Sequence, residues 1–311
     1  MDTRHLVAPA YREAAAVIPV FDMDTQSVEQ IRAELLHAYE QAYGSPDDVP
    51  KQEVFIERGG DAPIRALLYR PEQHAARGAI LHIHGGGWIA GSPDMFAALC
   101  AEIAKRHGVV VLSVDYRLVP EAAGDAALDD CFEALMWLRA HAARLGFGAD
   151  RISVMGDSAG GNLSAATALR ARDAGISLKS QLLIYPAFDD RTGGPNAPVE
   201  NPFAGEFVLT PKYTRQLWNA RLAKVAPENL PYLAPARAEH LAGLAPAFIA
   251  MGSLDILIDE ALDYAGRLIR SGVPTELHVY DGVFHGFDLV PGPETEAFKA
   301  DLARAIEKAL A

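Results

Sequence analysis

Short apolar runs alternate with longer segments of helical period along most of this chain. The apolar runs fall at 53–56, 66–69, 79–83, 109–114, 152–154, 181–185, 247–250 and 276–280. Several are unbroken rather than alternating, the pattern of strands covered on both faces. Between them, 95–107, 125–144, 159–172, 259–271 and 294–310 carry the helical period. Strand, helix, strand in this rhythm predicts right-handed crossovers and an α/β fold around a mostly parallel sheet. The alternation at 53–56 and 66–69 predicts an antiparallel start to that sheet.

Two regions break the rhythm. Residues 1–48 are helical in pattern, with Val28, Ile31, Leu35 and Leu36 at helical spacing, and precede the first strand. Residues 189–233 hold a Pro-, Gly- and Asn-rich stretch followed by a helix-like segment at 213–222. A loop of that length inside a compact domain is usually functional. The two are expected to form one helical cap over the carboxyl edge of a catalytic domain made of 49–188 and 234–311.

Composition narrows the function without naming it. Forty-one acidic against 28 basic residues give a formal charge of −13. Nucleic acids and anionic membranes call for clustered Lys and Arg, so neither is an expected partner. No window approaches the roughly 18 apolar residues of a membrane span, and the first 24 residues lack the basic head and cleavage site of a signal peptide. Cys100 and Cys131 read as buried reduced thiols, which fits a cytoplasmic setting.

Candidate chemistry sits at strand ends. Gly156-Asp157-Ser158-Ala159-Gly160 joins the run 152–154 to a helix. In so tight a turn the residues two before and two after the serine must lack side chains, and Gly161 extends the clearance. The turn lifts the Ser158 hydroxyl to the top of the sheet, in front of a helix N-terminus that favours negative charge. At another strand end stands His84-Gly85-Gly86-Gly87-Trp88. Two of its glycine amides, with that of Ala159, are the expected oxyanion donors. His84 is expected to order that loop.

A serine nucleophile needs a positioned base. Of the ten histidines, His285 combines a post-strand position with a glycine-flanked loop near the carboxyl terminus. The orienting carboxylate should lie at a strand end between the two, where Asp255 follows the run 247–250. Asp259 competes with it, although its place at a helix start suits capping. Asp157 and Asp281 are expected to be structural hydrogen-bonding residues. Trp88, Tyr185, Phe203, Phe207, Leu209 and Trp218 are candidate walls of the substrate pocket.

These blocks, together with Asp115-Tyr116-Arg117-Leu118-Val119-Pro120-Glu121, Leu254–Glu260 and Phe284-His285-Gly286-Phe287, resemble the hormone-sensitive lipase family of α/β-hydrolases. The resemblance runs from about residue 52 to 290. It implies an α/β-hydrolase fold, a helical cap, and activity on short to medium acyl esters without metal or organic cofactor. It further implies that Gly86 and Gly87 act with Ala159, Gly85 being the lesser candidate, and that two copies pair as a homodimer through a sheet edge. The same machinery would serve an amide, a lactone or a carbamate; a non-catalytic ligand-binding relative would lack the histidine. Ile256-Leu257-Ile258 and Ala122-Ala123-Gly124-Asp125 replace the family's Pro-Leu-Arg and His-Pro-Phe-Pro runs, which changes local packing only.

Overall fold

In the computed structural model, residues 2–44, 49–72 and 75–311 are described. Strands β1 (Gln52–Arg58), β2 (Asp61–Tyr69), β3 (Ala79–Ile83), β4 (Val110–Val114), β5 (Ile152–Asp157), β6 (Gln181–Ile184), β7 (Ala247–Gly252) and β8 (Thr275–Tyr280) form one sheet. Their order is β1-β2-β4-β3-β5-β6-β7-β8. The first two pairings are antiparallel and the rest parallel, as the switch from alternating to unbroken apolar runs foretold. Every residue of β3 to β7 is buried, because helices cover both faces there. At the β1 edge most side chains meet solvent.

The helices are α1 (Arg12–Val17), α2 (Val28–Tyr43), α3 (Ala97–His107), α4 (Ala126–Leu145), α5 (Ala159–Asp173), α6 (Pro211–Arg221), α7 (Leu230–Leu233), α8 (Ile258–Arg270) and α9 (Pro293–Leu310). Among the described residues no helix is long and apolar enough to cross a membrane. Cys100 on α3 and Cys131 on α4 are both buried and unpaired. Asp130 on α4 accepts bonds from Arg58 of β1 and from Arg117 beyond β4. That buried carboxylate ties the antiparallel edge to the body of the sheet.

Local chemistry explains how the longest helix of each irregular region starts. A capping box opens α2: the Ser27 hydroxyl accepts the Gln30 amide, while the Gln30 side chain accepts the Ser27 amide. Two amides at the helix start are thereby satisfied reciprocally. At α6 the Thr210 hydroxyl takes the Tyr213 amide, and Pro211 fills the first helical position, where no amide is missed. The two regions pack against each other. Asp22 accepts from Lys212 at 2.7 Å and from Gln216 at 2.8 Å, and Phe21 lies 5.5 Å from the Tyr213 ring. These bonds, with Lys212 foremost, hold the Asp22 carboxyl down at about 2. Arg32 of α2 pairs with Glu121 and donates to the Ile89 carbonyl, anchoring the helix to the sheet domain. The expected apolar stripe of α2 is only partly right, since Ile31 is buried whereas Leu36 is exposed. Ser45–Asp48, the expected end of the N-terminal region, lie outside the described residues.

Candidate active site

Ser158 stands between the end of β5 and the start of α5, at φ +54° and ψ −116°. L side chains rarely adopt that backbone, and the surroundings hold it there. The Ser158 amide donates to the Ile184 carbonyl of β6 at 2.8 Å. A Cβ on Gly156 would come within 2.4 Å of the Gly160 backbone, and one on Gly160 within 2.0 Å of the Ile83 carbonyl. Side chains are therefore excluded two residues either side of the serine, as the tight turn requires. Gly161 is likewise pressed against Pro186.

Residues distant in the chain meet at this hydroxyl. Ser158 Oγ lies 2.8 Å from His285 Nε2, and His285 Nδ1 lies 2.7 Å from Asp255 Oδ2. A carboxylate only accepts, so Nδ1 donates to it, and Nε2 is left free to accept the serine proton. Asp255 is 1% exposed, and its second oxygen takes the Leu257 amide at 3.0 Å. The loop bearing His285 lies against the end of β7, with the Leu254 amide donating to the Val283 carbonyl at 2.9 Å. Gly252 makes that approach possible, since a Cβ there would sit 2.4 Å from Val283 O. Asp259 is drawn elsewhere: it lies in the first turn of α8 and accepts from Asn201 at 2.9 Å. It makes no N-cap bond, because the cap position is Leu257 and the acid falls inside the helix.

Gly86, Gly87 and Ala159 line the same cavity as Ser158. Gly86 and Gly87 have φ of +119° and +62°, conformations open to glycine. Gly85, the lesser candidate among the glycine donors, has its amide engaged elsewhere, donating to Asp157 Oδ1 at 3.2 Å. His84 donates through Nδ1 to the Gly85 carbonyl at 2.8 Å and stacks on Tyr116 at 4.2 Å. Burial holds its imidazole down at about 4 and that of His82 at about 3, so both are neutral near pH 7. Among the described residues no cluster of His, Cys, Asp or Glu could hold a metal ion.

The cavity measures about 560 Å³ and is walled mainly by apolar side chains. Trp88, Tyr185, Leu209 and Trp218 line it. Phe203 and Phe207 do not. Phe203 is 47% exposed on the irregular loop before α6. Phe207 is buried behind the wall, its ring 5.3 Å from that of Phe284. Their places are taken by Phe21 and Leu35 from the N-terminal region and by Tyr213 and Leu217 from α6. Sequence reasoning missed these because an apolar position on a helix does not say which neighbour it will face.

Behind the serine and histidine lies a polar cluster that the motifs do not announce. Asp157 takes Gly85 on one oxygen and the Tyr39 hydroxyl on the other, at 3.3 Å. Burial, followed by the nearby charge of Asp288, pushes its carboxyl up to about 8. Asp288 accepts from Tyr43 at 3.0 Å and from Tyr185 at 2.7 Å, and burial raises its carboxyl too. Asp281, expected to serve structurally before the histidine loop, is exposed, and the buried hydrogen bonds are made by Asp288 after that loop. Its one sequence signal was its spacing, three residues after His285.

A mixed sheet in this order, with a strained serine at the β5–α5 turn and an imidazole from the loop after β8, defines an α/β-hydrolase. The profile of a family described by its alpha/beta hydrolase fold matches residues 80–289, and the chain belongs to that family. It is 34% identical to the carboxylesterase NlhH of Mycobacterium tuberculosis over 98% of this chain and 96% of the relative. With the esterase LipI of the same organism it shares 35% identity over 77% of this chain and 78% of the relative. Among solved structures, a bacterial heroin esterase superposes with a TM-score of 0.90 at 32% identity, covering 100% of both chains.

Proposed function

We propose that this protein is a carboxylesterase that hydrolyses short- to medium-chain acyl esters by way of an acyl-enzyme. The observation that carries the reading is the unbroken relay Ser158–His285–Asp255 beside Gly86, Gly87 and Ala159 in one apolar cavity. The names of its relatives support the same reaction class.

In this reading His285 takes the Ser158 proton as the hydroxyl attacks the ester carbonyl, and the amides of Gly86, Gly87 and Ala159 receive the oxyanion. Asp255 holds the imidazole tautomer and stabilises its charge. His285 then protonates the leaving alcohol, and water repeats the cycle on the acyl group. The N-terminal region and 189–233 form the cap that supplies most of the apolar wall, and the catalytic domain supplies the relay. The reduced, buried thiols support a cytoplasmic setting.

Ser158→Ala should lower turnover of a chromogenic acetate or butyrate ester by about 10⁴–10⁶-fold with the melting temperature unchanged. A variant keeping most of its turnover would remove Ser158 as nucleophile. A parallel panel of esters, amides and lactones decides the leaving group, and faster amide cleavage would displace the esterase reading.

A further inference from the structure

Tyr39 and Tyr43 stand one turn apart on α2 and so share a face. Their rings are 6.0 Å apart and both lean on Phe96, at 4.8 and 6.2 Å. That face divides two cavities. Tyr39 lines the active-site cavity, whereas Tyr43 lines a second one of about 590 Å³ between α3 and α9, whose walls include Asp157 and Asp288. Each tyrosine hydroxyl ends on a different carboxyl beneath the relay.

The first line of bonds reaches the serine side. Tyr39 donates to Asp157, the residue before Ser158, and the other oxygen of Asp157 holds the Gly85 amide immediately before Gly86 and Gly87. The fit there is close, since a Cβ on Gly85 would lie 2.2 Å from Asp157 Oδ2. The second line reaches the histidine side. Tyr43 donates to Asp288, which also takes the Tyr185 hydroxyl, and the Tyr185 ring meets the His285 imidazole edge-on at 4.7 Å. Tyr185 itself has φ +33°, an uncommon backbone held by the hydrogen bond its amide donates to the Ala250 carbonyl at 2.7 Å.

We propose that Tyr39 and Tyr43 are positioning residues: through Asp157 and Asp288 they couple the docking of α2 to the placement of the oxyanion loop and the catalytic imidazole. The proposal rests on the esterase reading above. Its physical basis is that oxyanion donors and a general base act only within a few tenths of an ångström of their working positions. A buried hydroxyl-to-carboxyl bond imposes such a position from a neighbouring element, the Tyr43–Asp288 bond at 3.0 Å more tightly than the Tyr39–Asp157 bond at 3.3 Å.

The experiment compares Tyr39→Phe, Tyr43→Phe and the double variant with wild type, using p-nitrophenyl acetate well below the melting temperature. Phenylalanine keeps the ring and its packing, so only the hydroxyl bond is lost. Tyr232→Phe is the control, because it deletes an exposed tyrosine–aspartate bond, to Asp173, away from the relay. Each single variant should lose about five- to tenfold in kcat while KM stays within about twofold. The double variant should fall further, labelling of Ser158 by a fluorophosphonate should slow in step, and the control should keep its kcat. Unchanged kcat in the single variants, or a raised KM with kcat intact, overturns the proposal. A wild-type chain that leaves the ester uncleaved and Ser158 unlabelled overturns the esterase reading together with it.

Discussion

Ser158 shows how far a single residue depends on its neighbours. A backbone at φ +54° costs about 1–3 kcal/mol in isolation, and the turn keeps it by removing side chains at Gly156 and Gly160. That requirement is local, so the motif reveals it. Pocket residues obey no such local rule. Phe203 and Leu209 lie six positions apart on one irregular stretch, yet only Leu209 reaches the cavity. Leu209→Ala should therefore move the preferred acyl length upward in a panel from acetate to octanoate, while Phe203→Ala leaves the profile unchanged. An altered profile for Phe203→Ala would place that loop over the cavity after all. Gly85 teaches the same lesson at the backbone: three successive glycines look alike in sequence, but the amide of one is claimed by Asp157.

Among the elements, the buried strands were the most legible. A strand covered on both faces reads as a near-continuous apolar run, and β3 to β7 are so covered, with only single polar residues such as His82 and Ser113 among them. The helix α2 was legible as a helix and only in part in its orientation. Of the predicted stripe Val28, Ile31, Leu35 and Leu36, packing buried Ile31 and partly buried Val28 and Leu35, left Leu36 exposed and took Tyr39 instead. Tyrosines at 39 and 43 carry both an apolar ring and a hydroxyl, so periodicity alone cannot show whether they face solvent, core or a buried carboxyl. The capping box that opens α2 is a property of the element itself. Ser27→Ala should cost about 0.5–2 kcal/mol, read as a lower denaturant midpoint. If α2 unfolds ahead of the sheet, the loss should appear as a separate early transition accompanied by falling esterase activity. An unchanged midpoint and profile would mean that α2 is held by its packing alone.

The whole molecule sets the charges that the cluster behind the relay can hold. Burial raises the Asp157 carboxyl from 3.8 to about 8. Between those values the folded protein keeps a proton that the unfolded chain has released. Stability should therefore fall as pH rises through this window, by at most about 1.4 kcal/mol per pH unit for one such proton, and level off above it. Asp157→Asn is neutral throughout and keeps an acceptor for Gly85. The difference in melting temperature, variant minus wild type, should climb from pH 5 to pH 8 and flatten beyond. A difference independent of pH would show the carboxyl to be ionised in the folded protein. This behaviour belongs to the assembled molecule, since desolvation by α2, the sheet and the Asp288 loop acts together.

Sequence by itself determined the strand–helix rhythm, the mixed sheet and the serine turn, because each depends on side-chain size, period or backbone freedom within a few residues. Tertiary structure alone decided that Gly85 serves Asp157, that Phe203 faces water while Phe21 walls the cavity, and that two tyrosines of α2 reach the carboxyls beneath the relay. Those outcomes depend on which surfaces meet and how much water they exclude, and neither is written in the spacing of residues along one segment.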